Sequence, residues 1–366
     1  MTLIIIVGVI AVICTTAYLV MRYYPTFGSR TPRNSRQTIL SSANYADGKF
    51  LNQIPTVITN NLWSTFSILG KMIKGNPHSR PKHPLLSVPV SLSPEVRGTK
   101  VTWFGHSAVL LEVNGVTLFM DPMLGASPSP FPFIGGRRYG TKLPIALRDL
   151  PSVDAVLLSH DHYDHLDYGS IQILKDKAQK FIVPLGVGAH LVRWGVERQR
   201  IEEYDWWDEF HFQGLQLVCT PARHFSGRSL LDRNSTLWCS WVIKGEASSI
   251  FFSGDSGYGP HFAEIGEKYG PFDLTLIECG QYDTQWAPIH MMPEQTIQAH
   301  LDVKGKLMIP IHWAAFTLAL HDWTDPVERA VKAAQERGTL LATPQIGETV
   351  VVHSPNYPST PWWRQD

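Results

Sequence analysis

Residues 154–167, DAVLLSHDHYDHLD, carry the motif from which the fold and the chemistry are predicted. An apolar run is followed within six positions by four side chains of the metal-ligand type: His160, His162, Asp164 and His165. Histidines at positions i and i+2 of an extended chain point to the same side. A turn into a helix would then bring the aspartate and the third histidine back toward that side. Nitrogen and oxygen ligands without a thiolate are typical of zinc, with a second borderline cation beside it.

Three further residues of this type each follow a predicted strand. His224 comes after LQLVCTP, Asp255 ends SSIFFSGD, and His312 ends KLMIPIH. A histidine or aspartate taken alone is often an ordinary polar side chain. Ligand sites of open α/β sheets, however, lie outside the carboxyl ends of their strands. We therefore predict that all seven residues converge at one sheet edge.

The chain from about Lys100 onward alternates short strands with helical stretches, which predicts a layered α/β domain. The predicted helices cover residues 168–178, 261–269, 293–303 and 325–337. No GxSxG, no P-loop and no GxGxxG before a helix occurs, so other common enzyme classes lack their sequence signals.

Composition narrows the class of protein further. Lys plus Arg equals Asp plus Glu at 32 each, so no net charge recruits nucleic acid, and none is predicted as a partner. The four cysteines are far apart without a CxxC pair, which argues against a disulfide framework and favours a reducing compartment. They are Cys14, Cys219, Cys239 and Cys279.

The amino terminus predicts a membrane anchor. Residues 3–21 contain no charged side chain and are long enough to cross a hydrocarbon core of about 30 Å as a helix. A cleaved signal peptide would need a basic segment before the apolar run and a small-residue cleavage site after it. The basic residues instead follow the run, which predicts a cytoplasmic catalytic domain. They are Arg22, Arg30, Arg33 and Arg36.

Four segments are predicted along the chain. A transmembrane anchor at 1–24 precedes a Pro-, Ser- and Asn-rich connector at 25–97, a catalytic domain at 98–353 and a tail at 354–366. Apolar residues at helical spacing in the connector predict a short amphipathic helix, packed on its own domain or, as the second interpretation, on the membrane. They are Ile58, Leu62, Phe66, Leu69 and Ile73.

The HxHxDH run, the later single histidine, the SGD aspartate and the strand-end histidine together resemble the metallo-β-lactamase superfamily across residues 98–352. The resemblance implies an αββα four-layer sandwich and two Zn²⁺ ions with a bridging hydroxide. It implies that Asp255 bridges the ions, that Asp164 and Asp255 are catalytic, and that Asp121 supports the metal loop. The implied ligands are His160, His162 and His224 for one ion, and Asp164, His165 and His312 for the other.

A narrower resemblance comes from strings outside the ligands. SHDHYDHLDY, YDWWDEF, GDSGYGPHFAEIG, KYGPFDL and IHWAAFTLALHDW are similar to N-acylphosphatidylethanolamine-hydrolysing phospholipases D. This implies a membrane phospholipid substrate cleaved to N-acylethanolamine and phosphatidic acid. It also implies that His290 lines the substrate site as a catalytic residue, with a solvent-exposed helix cap as the alternative. His321 is a further candidate at the mouth.

Several alternatives stay open at this point. The aromatic residues Trp206, Trp207, Phe131 and Phe133 are either core residues or an apolar rim that admits lipid tails. The second candidate function is a phosphodiesterase or lactonase of the same superfamily that acts on a soluble phosphorylated substrate. A non-catalytic, membrane-tethered binding protein is the third candidate. A homodimer is neither required nor excluded by the sequence.

Overall fold

The structure, a computed structural model, describes residues 1–32, 36–57, 70, 74–90 and 98–364. The five apolar residues that predict the amphipathic helix lie outside these ranges.

Two seven-stranded sheets form the body of the protein. The first sheet has the order β16-β3-β4-β5-β6-β7-β8, and the second has the order β15-β14-β13-β12-β11-β10-β9. The strands of the first sheet are β3 Lys100–Trp103, β4 Val109–Val113, β5 Val116–Met120, β6 Val153–Leu157, β7 Ala178–Pro184, β8 Ile201–Tyr204 and β16 Thr349–Val351. Those of the second are β9 Glu209–Phe212, β10 Leu215–Thr220, β11 Ser240–Lys244, β12 Ser249–Phe252, β13 Phe272–Glu278, β14 Gly305–Ile311 and β15 Leu340–Leu341. A separate hairpin pairs β1 Tyr45–Ala46 with β2 Lys49–Phe50.

Each large sheet has an antiparallel half and a parallel half. In the first sheet the pairs from β16 to β5 are antiparallel and those from β5 to β8 are parallel. In the second, the pairs from β9 to β12 are antiparallel and those from β12 to β15 are parallel. Parallel strands that are covered on both faces appear in a sequence as continuous apolar runs. This explains why β6 and β14 lead into the polar site as unbroken apolar stretches.

The described helices lie mainly on the outer faces of the sheets. They are α1 Thr2–Tyr23, α2 Gln37–Ser41, α3 Tyr168–Leu174, α4 Gly188–Arg193, α5 His261–Tyr269, α6 Pro293–Asp302 and α7 Asp325–Arg337. The predicted helix at 168–178 was too long at its end, because the strand β7 already begins at Ala178.

Three apolar cores hold the layers together. The central core lies between the sheets and includes Trp103 and Trp241. The outer face of the first sheet packs through Phe181 on α3 and α4, and that of the second packs through Phe251 on α5 and α6. Each such large side chain stabilises the fold by roughly 1.5–3 kcal/mol when it is fully buried. The predicted αββα four-layer sandwich is confirmed.

One helix of the described part, Ile4–Tyr23 within α1, is long and apolar enough to cross a membrane, and none of it is buried against the protein. Described parts of the predicted connector that follows contact the catalytic domain. Phe50 is fully buried in the central core. Asn52 donates to the backbone oxygen of His224 (2.8 Å) and accepts from its N–H (3.1 Å).

The last residues of the chain also belong to the central core. Trp362 and Trp363, which fall in the predicted tail, are buried. The ring of Trp362 stacks on Trp313 at 5.4 Å, and Trp313 stacks on Trp103 at 5.4 Å. The predicted tail therefore supports the residue that directly follows His312.

We expect Trp362→Ala to lower the free energy of unfolding by about 3–5 kcal/mol, because it removes a large buried side chain from the central core. Leu340→Ala is the control, since Leu340 is 61% exposed and its loss should cost within about 0.5 kcal/mol. Urea unfolding of the detergent-solubilised protein, followed by circular dichroism, measures both. Equal midpoints for the two variants would contradict the packing of the carboxyl terminus.

Candidate metal centre

The loop after β6 brings its ligand-type side chains to one place through a tight turn. The backbone oxygen of His162 accepts from the N–H groups of His165 (3.1 Å) and Leu166 (2.8 Å). Asp167 then caps the amino end of α3 by accepting from Ser170 N–H at 2.7 Å. This local turn returns residues 164 and 165 toward the side of residues 160 and 162.

The other predicted ligands reach the same place from strand ends of the second sheet. His224 follows β10, Asp255 follows β12 and His312 follows β14. Gly254 allows the close approach of the two sheets here, because its φ is +55° and a Cβ would lie 2.6 Å from the Cβ of Ser159. All seven predicted ligand residues are brought together.

They form two groups. In the first, Nδ1 of His162 lies 2.9 Å from Nε2 of His160 and 3.1 Å from Nε2 of His224. In the second, Oδ2 of Asp164 lies 3.6 Å from Nε2 of His165 and 4.0 Å from Nε2 of His312. Each group therefore places ring nitrogens or a carboxylate oxygen around one point.

Asp255 lies between the two groups. Its Oδ2 is 3.1 Å from Nε2 of His165, and 3.8 Å from Nε2 of both His160 and His224. Its Oδ1 is 3.0 Å from Nδ1 of His312. One carboxylate is thus shared by histidines of both groups.

The donor set fits metal ions. Among the described residues, two buried atoms that face this site, Nε2 of His165 and Oδ1 of Asp255, make no hydrogen bond of good geometry, although each lies close to another ligand-type atom. Buried polar groups are normally paired, so a cluster of unpaired ones needs another partner. Imidazole nitrogen and carboxylate oxygen without thiolate suit zinc and similar cations.

The electrostatics of the site agree with such a role. Burial lowers the pKa of His160, His224 and His312, which keeps these imidazoles neutral as metal ligation requires. Burial would also raise the pKa of Asp255, but His165 and His312 outweigh it and hold that pKa well below its usual range. Burial lowers the pKa of His165, but neighbouring carboxylates, first that of Asp255, outweigh it and raise it. Metal binding there would therefore release a proton.

Residues 117–313 match a family model described as a beta-lactamase superfamily domain. The chain belongs to the metallo-β-lactamase superfamily. It is 43% identical over 331 residues to an uncharacterized Mycobacterium tuberculosis protein, covering 88% of both chains. It is 32% identical over 268 residues to N-acyl-phosphatidylethanolamine-hydrolyzing phospholipase D 1 of Caenorhabditis elegans, covering 69% of this chain and 75% of that one.

A solved structure supports the fold. The metallo hydrolase Igni18 of Ignicoccus hospitalis superposes with a TM-score of 0.55 at 24% identity, covering 69% of this chain and 98% of that one. The fold and the relatives make this superfamily member a metal-dependent hydrolase. The site offers it several groups of His and Asp or Glu residues that could hold a metal ion.

Asp121 supports the loop after β6, which carries four of the predicted ligands, as the sequence resemblance implies. Its Oδ2 lies 2.7 Å from Nδ1 of His165, and its Oδ1 accepts from the N–H of Ser159 at 2.7 Å. These bonds orient His165 so that its Nε2 faces the other ligands. The backbone of Asp121 is left-handed, with φ of 40°, which is a form of strain that clusters at functional sites.

Two residues at the site were missed by the sequence analysis. Nε2 of His106 lies 2.9 Å from Oδ2 of Asp164, and its ring lies 4.1 Å from that of His312. Glu278, which is fully buried, joins Asp255, His290 and His312 in one group of ligand-type atoms. Glu278 ends β13, and His106 follows β3 by three residues, so the rule that found the other ligands could have found both residues too.

His290 is held beside both groups of ligands. Its ring lies 5.0 Å from that of His224 and 5.2 Å from that of His312. Its Nδ1 lies 2.8 Å from Oε2 of Glu278, whose Oε1 accepts from the N–H of Met291 at 3.0 Å. The alternative of a solvent-exposed helix cap is wrong, because the cap of α6 is Met292 and His290 points into the site.

The other candidates from the sequence lie outside the site. His321 accepts from the N–H of Gln281 at 2.9 Å and stacks on Tyr282. Trp206 is buried and its Nε1 donates to the backbone oxygen of Trp238 at 2.6 Å. Trp207 is partly buried under the amine of Lys268. Both tryptophans are therefore packing residues.

Removal of a residue that only orients a metal ligand weakens metal binding by roughly 10–100-fold. We expect Asp255→Asn to weaken metal binding more than this, because this carboxylate faces both ligand groups. Metal content of the purified, zinc-loaded variant should fall well below that of the unaltered protein. Asp149→Asn, at an exposed position, is the control and should keep full content. Normal metal content in Asp255→Asn would exclude Asp255 as a shared ligand.

Proposed function

We propose that this protein is a zinc-dependent phosphodiesterase of membrane phospholipids, with N-acylphosphatidylethanolamine as substrate and N-acylethanolamine and phosphatidic acid as products. The observation that carries the proposal is the pair of ligand groups that share Asp255, with His290 beside both. The activity after which the C. elegans relative is named supports the choice of substrate.

The residues divide between two ions in this proposal. His160, His162 and His224 would hold one zinc ion, and Asp164, His165 and His312 would hold the other, with Asp255 between them. A zinc pair held in this way supplies an activated water and neutralises charge on phosphoryl oxygens.

Glu278 and His290 handle the proton of the leaving group. The carboxylate of Glu278 accepts from Nδ1 of His290, so Nε2 is the ring atom left for the substrate. Burial would lower the pKa of His290, but Glu278 outweighs it and raises that pKa to about 9. Burial raises the pKa of Glu278 in the same pair to about 7, although His290 acts to lower it. The pair therefore holds a proton at neutral pH, which His290 donates from Nε2 to the departing oxygen of the N-acylethanolamine.

The helix α1 would keep the enzyme at its substrate. It is long and apolar enough to span a bilayer. Arg22 and Arg30 follow its apolar stretch, which by the positive-inside rule places the catalytic domain on the cytoplasmic side. Phospholipid head groups are concentrated at that surface, whereas soluble phosphodiesters are not.

Hydrolysis of N-acylphosphatidylethanolamine in oxygen-18 water should yield labelled phosphatidic acid and unlabelled N-acylethanolamine, because water attacks phosphorus. Mass spectrometry of both products measures the position of the label. A soluble phosphodiester, assayed in parallel, should be a poor substrate. The zinc-free protein is the control and should hydrolyse neither substrate. Label in the ethanolamide, or diacylglycerol among the products, would show that a different bond is cleaved.

We expect Glu278→Gln to shift the alkaline limb of the activity profile to lower pH. The carboxylate raises the pKa of His290, so its loss lowers that pKa, and the acid form is lost earlier as the pH rises.

His290→Ala should lower kcat by about 100-fold or more with zinc content unchanged. Glu264→Gln, on the exposed face of α5, is the control. An unmoved limb in Glu278→Gln, or loss of zinc in His290→Ala, would contradict these roles.

A further inference from the structure

The segment that follows α1, residues 24–30, is bound to the catalytic domain; we call it the foot of the helix. The guanidinium of Arg193 donates to the backbone oxygen of Gly28, and Nε1 of Trp194 donates to that of Pro25 at 2.7 Å. Gly28 is buried with φ of +69°, and a Cβ there would lie 2.0 Å from Nδ1 of His190. The foot therefore packs closely against α4 at Gly28.

Two buried side chains connect the foot with the metal loop. Nδ1 of His190 accepts from the N–H of Ser29 at 2.9 Å, and its Nε2 lies 3.3 Å from Oδ2 of Asp161. The guanidinium of Arg228 donates to the backbone oxygens of Thr26 (2.9 Å) and Asp161. Asp161 lies between two predicted ligands in the sequence, so the direction in which α1 leaves the domain is tied to the metal centre.

Large apolar side chains are exposed around this foot. Four of them lie on two loops: Phe133 (77% exposed), Ile134 (53%), Leu230 (91%) and Leu231 (59%). The first loop touches the foot directly, because Phe131 lies 5.1 Å from Tyr24 and 5.8 Å from Phe133 between ring centroids. Exposed apolar groups of this kind mark interaction surfaces when they lie together.

The second loop lies beside the last turns of α1. Leu231 lines a cavity of about 150 Å³ together with Tyr18 and Met21. Tyr18 precedes the end of the helix at Tyr23, and the helix rises about 1.5 Å per residue. Leu231 therefore lies beside the last turns of α1, rather than beyond the end of the helix.

We propose that Phe133, Ile134, Leu230 and Leu231 are inserted into one leaflet of a phospholipid bilayer and seat the metal centre against its surface. The proposal rests on the membrane attachment in the proposed function. Exposed Arg22 and Arg30 line the same cavity as Leu231, and their charge suits lipid phosphates. Tyrosines at the end of α1 are typical of the membrane interface.

Both loops lead back to the site. The second begins next to His224 with Phe225, whose ring lies 4.4 Å from that of His162. The first ends at Arg138, whose guanidinium lies 4.7 Å from the ring of Phe316, and Phe316 packs on His106 at 5.5 Å. The two loops therefore connect the proposed lipid surface with the metal centre through packed side chains.

The experiment uses the full-length protein in phosphatidylcholine vesicles with phosphatidylglycerol. In a Cys14→Ser background, Leu230→Cys is labelled with an environment-sensitive fluorophore, since Cys219, Cys239 and Cys279 are buried. Leu340→Cys, on the outer strand of the second sheet, is the matched control. We expect a blue shift and loss of most of the fluorescence with brominated lipid at position 230, and neither at position 340.

Each outcome is informative. Emission at position 230 that matches position 340 overturns the proposal, even if the enzyme hydrolyses phospholipid. A blue shift that depends on protein concentration but not on brominated lipid would mean contact between copies of the chain, and also overturns it. Quenching at position 230 without any phospholipid turnover would leave the lipid surface intact and reject the proposed reaction instead.

Discussion

The carboxylate of Asp255 faces histidines from both ligand groups within 4 Å, in a place that is almost completely closed to water. Such a concentration of imidazoles and carboxylates is stable only if every member is oriented and paired, because unpaired polar groups are costly in an interior of low dielectric. The fold meets this requirement with two sheets whose strand ends meet at one edge. The rest of the architecture depends on keeping these ends in register.

The orientation of the ligands comes from residues behind them. Asp121 aligns His165, Glu278 aligns His290, and Asn52 holds the backbone of His224. The backbone of His312 is fixed in turn by its N–H bond to the oxygen of His106 at 2.9 Å. Metal sites depend on such partners almost as much as on the ligands, because these partners decide which ring nitrogen faces the metal. The supporting residues come from distant parts of the chain, so the site requires the complete fold.

The amino-terminal segment has a comparable structural role. On a loose linker, α1 would be free to change its direction relative to the catalytic domain. Here Arg228 and His190 bind both the foot of α1 and the loop of the metal ligands. A buried arginine that donates to three backbone oxygens, including that of Leu166, gives a rigid connection. The direction of α1 on the domain and the geometry at the metal centre are thereby coupled through the same side chains.

The sequence by itself determined the fold class and predicted which ligand-type residues come together, because both are encoded locally. An apolar strand followed by His160, His162, Asp164 and His165 specifies ligand type and spacing without reference to the rest of the chain. The helix α1 is likewise determined by composition alone. The likeness to known hydrolases extends well beyond these motifs.

The tertiary structure decided the partners of these residues, because they depend on contacts between distant positions. Asn52 meets His224 across 172 residues, and Arg228 meets Thr26 across 202. Glu278 is an acidic residue at a strand end like others in the sequence, and only the packing of β13 between β12 and β14 makes it the partner of His290. Trp362 lies in a short carboxyl-terminal segment without helical or strand periodicity, so only its stacking on Trp313 shows that it is core. Long-range contacts of this kind follow from how the layers assemble, and no local pattern contains that information.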